Sequence, residues 1–200
     1  MRAEPWSLQK ELKSDPHQPS KRDILDLAYN ISDLRNRALF CFAYLTAGRV
    51  SEGIGRFQKR KGKEPRKWIP LKKKNFEKQI VKDRPFLVIE LPNLKNRSKK
   101  NKVIPVALDN DFELAEPLIQ YLETLGREDI VFNITRQRAY QILKRDTGFN
   151  PHYLRHIRLT HLTVNNQFNE QSLVMFAGWS DSRPAKHYIS MRWSDLVQNL

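Results

Sequence analysis

The spacing of apolar residues changes twice along this chain, and that change constrains the fold more than any other feature. Up to Gly48 the spacing is helical: Ser20 is placed as an N-cap, and residues 34–45, LRNRALFCFAYL, are apolar nearly all round. The middle third has two short runs rich in β-forming residues, 86–91 and 103–107, joined by a polar basic loop. This alternation predicts a β-hairpin.

Helical spacing returns in the second half of the chain. The predicted helices cover residues 112–125, 135–147, 152–164, 170–176 and 184–197, and a further short strand is expected at 68–70 or at 80–81. The sequence therefore predicts an α+β fold, mostly helical, with a small antiparallel sheet inserted between two helical groups. Residues 1–18 are polar and are expected to form an arm or linker remnant, with one domain over residues 19–200.

The composition narrows the setting in which such a fold works. Cys41 is the single cysteine and lies in an apolar run, which predicts a buried small hydrophobe and not a reactive thiol. No stretch approaches the roughly 18 consecutive apolar residues of a membrane span, and MRAEPWSLQK lacks the apolar segment of a secretion signal. We expect a soluble, cytoplasmic protein with no membrane contact.

The positive charge is concentrated in one stretch. The formal net charge is +14, and residues 56–102 hold 18 Lys and Arg against four acids, so the rest of the chain is close to neutral. Aromatic residues are interleaved with these cations, a pattern typical of a nucleic-acid surface. The side chains predicted to contact DNA are Lys59, Arg60, Lys61, Lys72, Lys73, Lys99, Lys100, Arg136 and Arg138.

One predicted helix, NPHYLRHIRLTHL, carries an unusual number of basic side chains. His152 and Arg155 are three residues apart and so are expected to share a face, whereas His156 and Arg158 are expected to point elsewhere. A zinc site at His152 and His156 is disfavoured, because Tyr153 stands where zinc hydrolases place a glutamate.

Three segments together resemble the signature boxes of the tyrosine recombinases of the phage-integrase type. AYLTAGRVSE resembles the first arginine box, HYLRHIRLTHL the second box, and FAGWSDSRPAKHYIS the third, which ends in the nucleophilic tyrosine. The three occur in the family's order and at its spacing, over about residues 20–195. The first box departs from the family in having Ala47 where a glycine is usual.

The resemblance implies a catalytic domain that cuts and rejoins DNA through a 3′-phosphotyrosyl intermediate. Arg49 and Arg155 would clamp the scissile phosphate, with Glu52 behind Arg49 as an orienting or helix-capping carboxylate, and Tyr188 would attack the phosphorus. His152 would assist the phenol as proton acceptor, and Trp179 would donate its indole N–H to the phosphate. A hairpin lysine would protonate the leaving oxygen; Lys95 is our choice, and Lys99, Lys100 and Lys102 are its rivals.

The same resemblance implies the partners. Double-stranded DNA is the expected substrate, four protomers are expected on two duplexes and a monomer in isolation, and no metal or other cofactor is implied. Family members carry a separate helical domain before the catalytic one, and this domain is expected to be absent here. Two alternatives stay open: a type IB topoisomerase-like nicking and closing enzyme, and a non-catalytic DNA-binding module.

Overall fold

The computed structural model describes residues 18–57, 68–91 and 101–189 as helices, strands and their connections. The helices are α1 (Lys21–Tyr29), α2 (Leu34–Thr46), α3 (Val50–Ile54), α4 (Leu108–Glu123), α5 (Arg136–Thr147), α6 (Pro151–Val164), α7 (Glu170–Ala177) and α8 (Lys186–Ile189). The strands are β1 (Arg56–Phe57), β2 (Trp68–Ile69), β3 (Phe76–Val81), β4 (Arg84–Leu91) and β5 (Lys102–Ala107). None of these helices is long and apolar enough to cross a membrane.

A three-stranded antiparallel sheet separates the two helical groups. Its order is β3-β4-β5, and the predicted hairpin is present, with Ile89 opposite Ile104. Alternate residues of β4 and β5 face the core, as a half-buried pleated strand requires, whereas β3 is exposed at every residue after Phe76. Strands β1 and β2 form a separate two-stranded pair. The predicted fold class is confirmed.

Helix α2 is the centre of the core. Ten of its residues are buried, and it packs against α4, α5 and α6. Cys41 is fully buried there, and burial raises the pKa of its thiol to about 12, so the predicted small hydrophobe is confirmed. Asp33 caps the helix by accepting from the Asn36 amide at 2.8 Å.

A buried polar network joins the far side of α6 to the start of the described chain. Arg158 donates to Asp111 at 2.6 Å, and Lys21 lies 2.8 Å from the same carboxylate. His161 bonds the Tyr44 hydroxyl through Nδ1 at 2.7 Å and donates from Nε2 to the Pro19 carbonyl at 2.8 Å. Because a carbonyl only accepts, Nδ1 must be the acceptor for Tyr44. The network fixes the rotation of α6 against α2 and α4.

Two helices begin two or more residues away from their predicted starts. Helix α4 begins at Leu108 instead of residue 112, and a kink at Asp111, which is non-helical at φ −119° and ψ 20°, separates its first turn from the rest. Helix α8 begins at Lys186 instead of residue 184, and the predicted continuation beyond residue 189 lies outside the described residues. Of the two alternative strands, β2 covers the first two residues of 68–70, and β3 contains 80–81.

Candidate active site

Arg49 is positioned by the turn that ends α2. Ala47 closes the helix in a left-handed conformation at φ 43°, and Gly48 follows, with its amide donating to the Thr46 hydroxyl at 3.0 Å. A Cβ on Gly48 would lie 2.7 Å from that hydroxyl oxygen, so the turn needs glycine here. Arg49 is then the residue that caps α3, at the boundary of the core with its side chain 26% exposed.

Glu52 holds Arg49 from behind. Its Oε1 accepts from Arg49 Nη1 at 3.0 Å, and its Oε2 accepts from the Arg49 backbone amide, also at 3.0 Å. The carboxylate therefore both orients the guanidinium and caps the helix, the two roles that the sequence left open. Its side chain is only 1% exposed.

Lys102, at the first position of β5, approaches the same carboxylate from the sheet. Its Nζ lies 2.9 Å from Glu52 Oε2, and its side chain is 5% exposed. Burial lowers the pKa of Lys102, Glu52 opposes that effect, and Arg155 and Arg49 add to it. Lys95, Lys99 and Lys100, the other lysines considered for the leaving group, lie outside the described residues.

Arg155 is buried in the first half of α6, which Asn150 caps by accepting from the Tyr153 amide at 2.9 Å. Among the described residues its guanidinium donates to two main-chain carbonyls: Nη1 donates to that of Ala47, and Nη2 donates to that of Ala177 at 3.2 Å. Burial, and after it the nearby Arg49, lowers the pKa of Arg155 to about 10, so it remains charged at neutral pH.

Trp179 and Tyr188 complete the cluster in a stack. The Arg155 guanidinium lies 5.7 Å from the centre of the Trp179 ring. On Trp179 the Tyr188 ring stacks at 5.8 Å with an interplanar angle of 24°. Burial raises the pKa of the Tyr188 phenol, and Arg155 acts in the opposite direction. The hydroxyl is therefore protonated at neutral pH and needs a proton acceptor to become a nucleophile.

The histidine in contact with Tyr188 is His156 and not His152. His156 Nδ1 lies 3.3 Å from the Tyr188 hydroxyl, whereas His152 is exposed on the first turn of α6. Sequence analysis did not include His156 in the site; Tyr188 arrives from a separate helix and contacts α6 one residue beyond Arg155. The sequence signal was the adjacent Arg-His pair, whose partner on α8 no helical spacing reveals.

The cluster carries more positive than negative charge. Among the described residues, Glu52 is the one carboxylate that acts on the pKa of either Lys102 or Arg155, while Arg49, Lys102 and Arg155 are all cationic. Three cations facing one carboxylate at low exposure form a site for an anion, since uncompensated buried charge is otherwise costly.

The described side chains that were predicted to contact DNA lie outside this cluster, in two other parts of the fold. Lys72 pairs with Glu128 at 2.9 Å, and Lys73 donates to the Leu125 carbonyl at 2.6 Å. Arg136 and Arg138 are exposed on the first turn of α5. The remaining members of the set that are not yet placed, Lys59, Arg60 and Lys61, lie outside the described residues.

The sequence matches no protein-family model and no curated protein sequence. Solved structures do match. The XerH site-specific recombinase bound to its difH substrate, in a pre-cleavage complex, aligns with a TM-score of 0.60 at 17% identity over 88% of this chain. The chain has the tyrosine recombinase fold. The XerA recombinase shares it at a TM-score of 0.59 and 19% identity over 93% of the chain.

A second XerH complex, bound to a palindromic difH substrate after cleavage, shows the same tyrosine recombinase fold, with a TM-score of 0.60 and 17% identity. This chain spans 50% of the XerH chain and 65% of the XerA chain.

Proposed function

We propose that this protein cleaves and rejoins DNA strands as a site-specific recombinase, through a 3′-phosphotyrosyl intermediate on Tyr188. The observation that carries the proposal is the cation cluster beside a stacked phenol. Arg49 and Tyr188 both lie close enough to Arg155 to act on its pKa, and Trp179 contacts both Arg155 and Tyr188. A phosphodiester is an anion that such a pair of guanidinium groups can bind through planar, bidentate hydrogen bonds.

The two arginines would stabilise the charge that develops on the non-bridging oxygens in the transition state. Arg155 is already fixed by two carbonyls and Arg49 by Glu52, so little reorganisation is needed when the phosphate binds. Trp179, already in contact with both Arg155 and Tyr188, is proposed to donate its indole N–H to the same phosphate.

Tyr188 would attack the phosphorus and conserve the bond energy in a covalent link, which a 5′-hydroxyl of another strand then reverses. Lys95 remains our choice for the proton donor to the leaving oxygen. Lys102 is less suited than the other lysines, since its Nζ is buried against Glu52. We propose that Lys102 instead balances Glu52 behind Arg49.

Double-stranded DNA is the proposed partner, bound by the basic stretch together with Arg136 and Arg138 and assembled as four protomers on two duplexes. No metal or nucleotide enters the proposed chemistry, because the phosphotyrosyl link itself stores the energy for rejoining.

The variant that tests the nucleophile is Tyr188→Phe, with Tyr29→Phe as the matched control, since Tyr29 is half exposed on α1. The substrate is a pool of nicked synthetic duplexes with a randomised central segment. Wild type and Tyr29→Phe should form SDS-resistant protein–DNA adducts, and Tyr188→Phe should form none. An adduct with Tyr188→Phe would show that Tyr188 is not the nucleophile. Exchange between two marked duplexes, measured beside relaxation of supercoiled DNA, then separates recombination from nicking and closing.

A further inference from the structure

Two lysines outside the active site converge on one exposed carboxylate. Lys74 Nζ lies 3.0 Å from Oε1 and 2.9 Å from Oε2 of Glu128, and Lys72 Nζ lies 2.9 Å from the same Oε2. We call these three residues the Glu128 cluster. We propose that Lys72 and Lys74 bind a backbone phosphate of duplex DNA, and that Glu128 occupies the place of that phosphate until DNA displaces it. The inference rests on the proposed function, because it takes DNA as the partner, and it adds a contact outside the active site and the residue that regulates it.

The carboxylate of Glu128 presents the same features to the two lysines as a phosphodiester would. Both groups spread one negative charge over two terminal oxygens, and both accept charge-assisted hydrogen bonds from ammonium groups. Two ammonium groups on one carboxylate leave the cluster with a net charge of +1. A phosphate that replaces Glu128 therefore meets lysines that already point at a shared anion.

The main chain beneath the cluster is fixed by bonds that do not involve these charges. A 3₁₀ turn, Lys73–Asn75, lies against the loop that follows α4. The amide of Lys73 donates to the Asp129 carbonyl at 3.1 Å. The amide of Lys74 donates to the Arg127 carbonyl at 3.0 Å. Because these bonds remain when the Glu128 side chain turns away, the two lysines stay in place for the incoming phosphate.

The cluster is open to solvent, so a duplex can reach it. The side chains of Lys72, Lys74 and Glu128 are 32%, 44% and 61% exposed. Exposed ion pairs contribute little to stability, because solvation and salt offset much of their attraction. The lysines can therefore exchange Glu128 for a phosphate at low cost, and the contact with DNA releases counterions from the duplex.

A structural role for the same ion pairs makes a different prediction. If the pairs served only to fasten the loop to the 3₁₀ turn, Glu128→Gln would destabilise the protein and have no specific effect on DNA binding. If Glu128 competes with DNA, Glu128→Gln should strengthen binding and leave the urea midpoint unchanged, since the backbone bonds hold the loop.

A double-mutant cycle separates the two roles. Wild type, Glu128→Gln, the lysine variant Lys72→Gln, Lys74→Gln and the corresponding triple variant are compared by fluorescence anisotropy on an intact duplex of mixed sequence, over a salt series. The matched control is Glu113→Gln, which removes one exposed carboxylate from α4, measured in wild type and in the lysine variant.

Glu128→Gln should tighten DNA binding at low salt by up to about fivefold for each ion pair that it releases. In the lysine variant the same change should have only the small effect of Glu113→Gln, because no lysine is left there for Glu128 to hold. The lysine variant itself should bind more weakly, with a salt slope less negative by about 0.9 for the one phosphate that it no longer neutralises.

Equal tightening by Glu128→Gln and Glu113→Gln would overturn the inference, and so would a tightening by Glu128→Gln that persists in the lysine variant. Either result would show general charge repulsion and leave the proposed function standing. A lower urea midpoint for Glu128→Gln with unchanged DNA affinity would assign the ion pairs to stability alone, and would also overturn the inference.

Inorganic phosphate at constant ionic strength separates a free anion from a DNA backbone. If it raised the Tm of Glu128→Gln as much as the duplex does, the cluster would be a site for a free anion and the inference would fall. If wild type and every variant failed to bind the duplex, the inference and the DNA partner of the proposed function would fall together. The adduct assay with Tyr188→Phe tests the nucleophile independently of all these results.

Discussion

Glu52 carries more of the site than its single charge suggests. It accepts from Arg49 twice and lies 2.9 Å from Lys102, and all of this takes place at 1% exposure. Glu52→Gln should lower the free energy of unfolding by about 3–5 kcal/mol, because it leaves buried cations without their counter-charge. Urea denaturation followed by circular dichroism measures the loss.

The matched variant for Glu52 is Lys102→Met. If Glu52 serves chiefly to balance buried charge, the double variant should be more stable than the sum of the two single losses predicts. Strict additivity of the two losses would contradict the pairing of Glu52 with Lys102.

Residues of the site differ in how far the sequence reveals them. Arg49, Arg155 and Tyr188 stand in short motifs whose order and spacing are informative, and the fold brings them together. His156 and Gln18 could not be found that way. His156 contacts both Gln18 and Tyr188, which are far from it in the chain, and such pairs follow from tertiary packing and not from local spacing.

At the scale of elements, His161 joins three parts of the fold: α6, α2 through Tyr44, and the entry segment through Pro19. Burial lowers the pKa of His161. The bond to the Pro19 carbonyl acts against that effect, whereas Arg158 and Lys21 add to it and Asp111 opposes them. The folded protein therefore releases this proton at a lower pH than the unfolded chain does, where the pKa is about 6.5.

The consequence is a stability that falls as the pH drops. The contribution of His161 to the free energy of unfolding is fully present above a pH of about 6.5. Below that pH the unfolded chain binds the proton more readily than the folded protein does, and the free energy of unfolding falls by up to about 1.4 kcal/mol per pH unit. The free energy of unfolding, measured from neutral to acid pH, should show this slope in wild type and in His187→Gln. His161→Gln should flatten it, and equal slopes in all three proteins would contradict the assignment.

Helices and strands followed from the sequence more readily than their ends did. The apolar period identifies α2, α5, α6 and α7, because each buries a face whose spacing is visible in the letters. The start of α4 was missed, since the Asp-Asn-Asp run before Phe112 has the composition of a turn. In the structure the Asp111 carboxylate is bound by Arg158 and Lys21, so a tertiary contact sets the kink there.

For the molecule as a whole, the net charge of +14 is the property that any DNA partner meets first. Binding to duplex DNA should weaken steeply with salt, with a slope of about −0.9 for each phosphate neutralised. The double variant Arg136→Gln, Arg138→Gln should make this slope less negative by about two. Arg22→Gln, a change on exposed α1, should leave it unaltered.

Fluorescence anisotropy over a salt series gives these slopes. A binding constant that did not change with salt would show that the basic side chains do not neutralise DNA phosphates. If Arg22→Gln changed the slope as much as the double variant on α5 does, the positive charge would act on DNA through the whole surface and not through one face.

The anchoring of Arg155 has a consequence for how this protein tolerates sequence drift. Its two acceptors are the carbonyl oxygens of Ala47 and Ala177, and every amino acid supplies a carbonyl oxygen. Substitutions at these two positions change a side chain but not the atoms that hold the guanidinium. The seat of Arg155 is therefore set by the course of the backbone and not by the identity of these two residues.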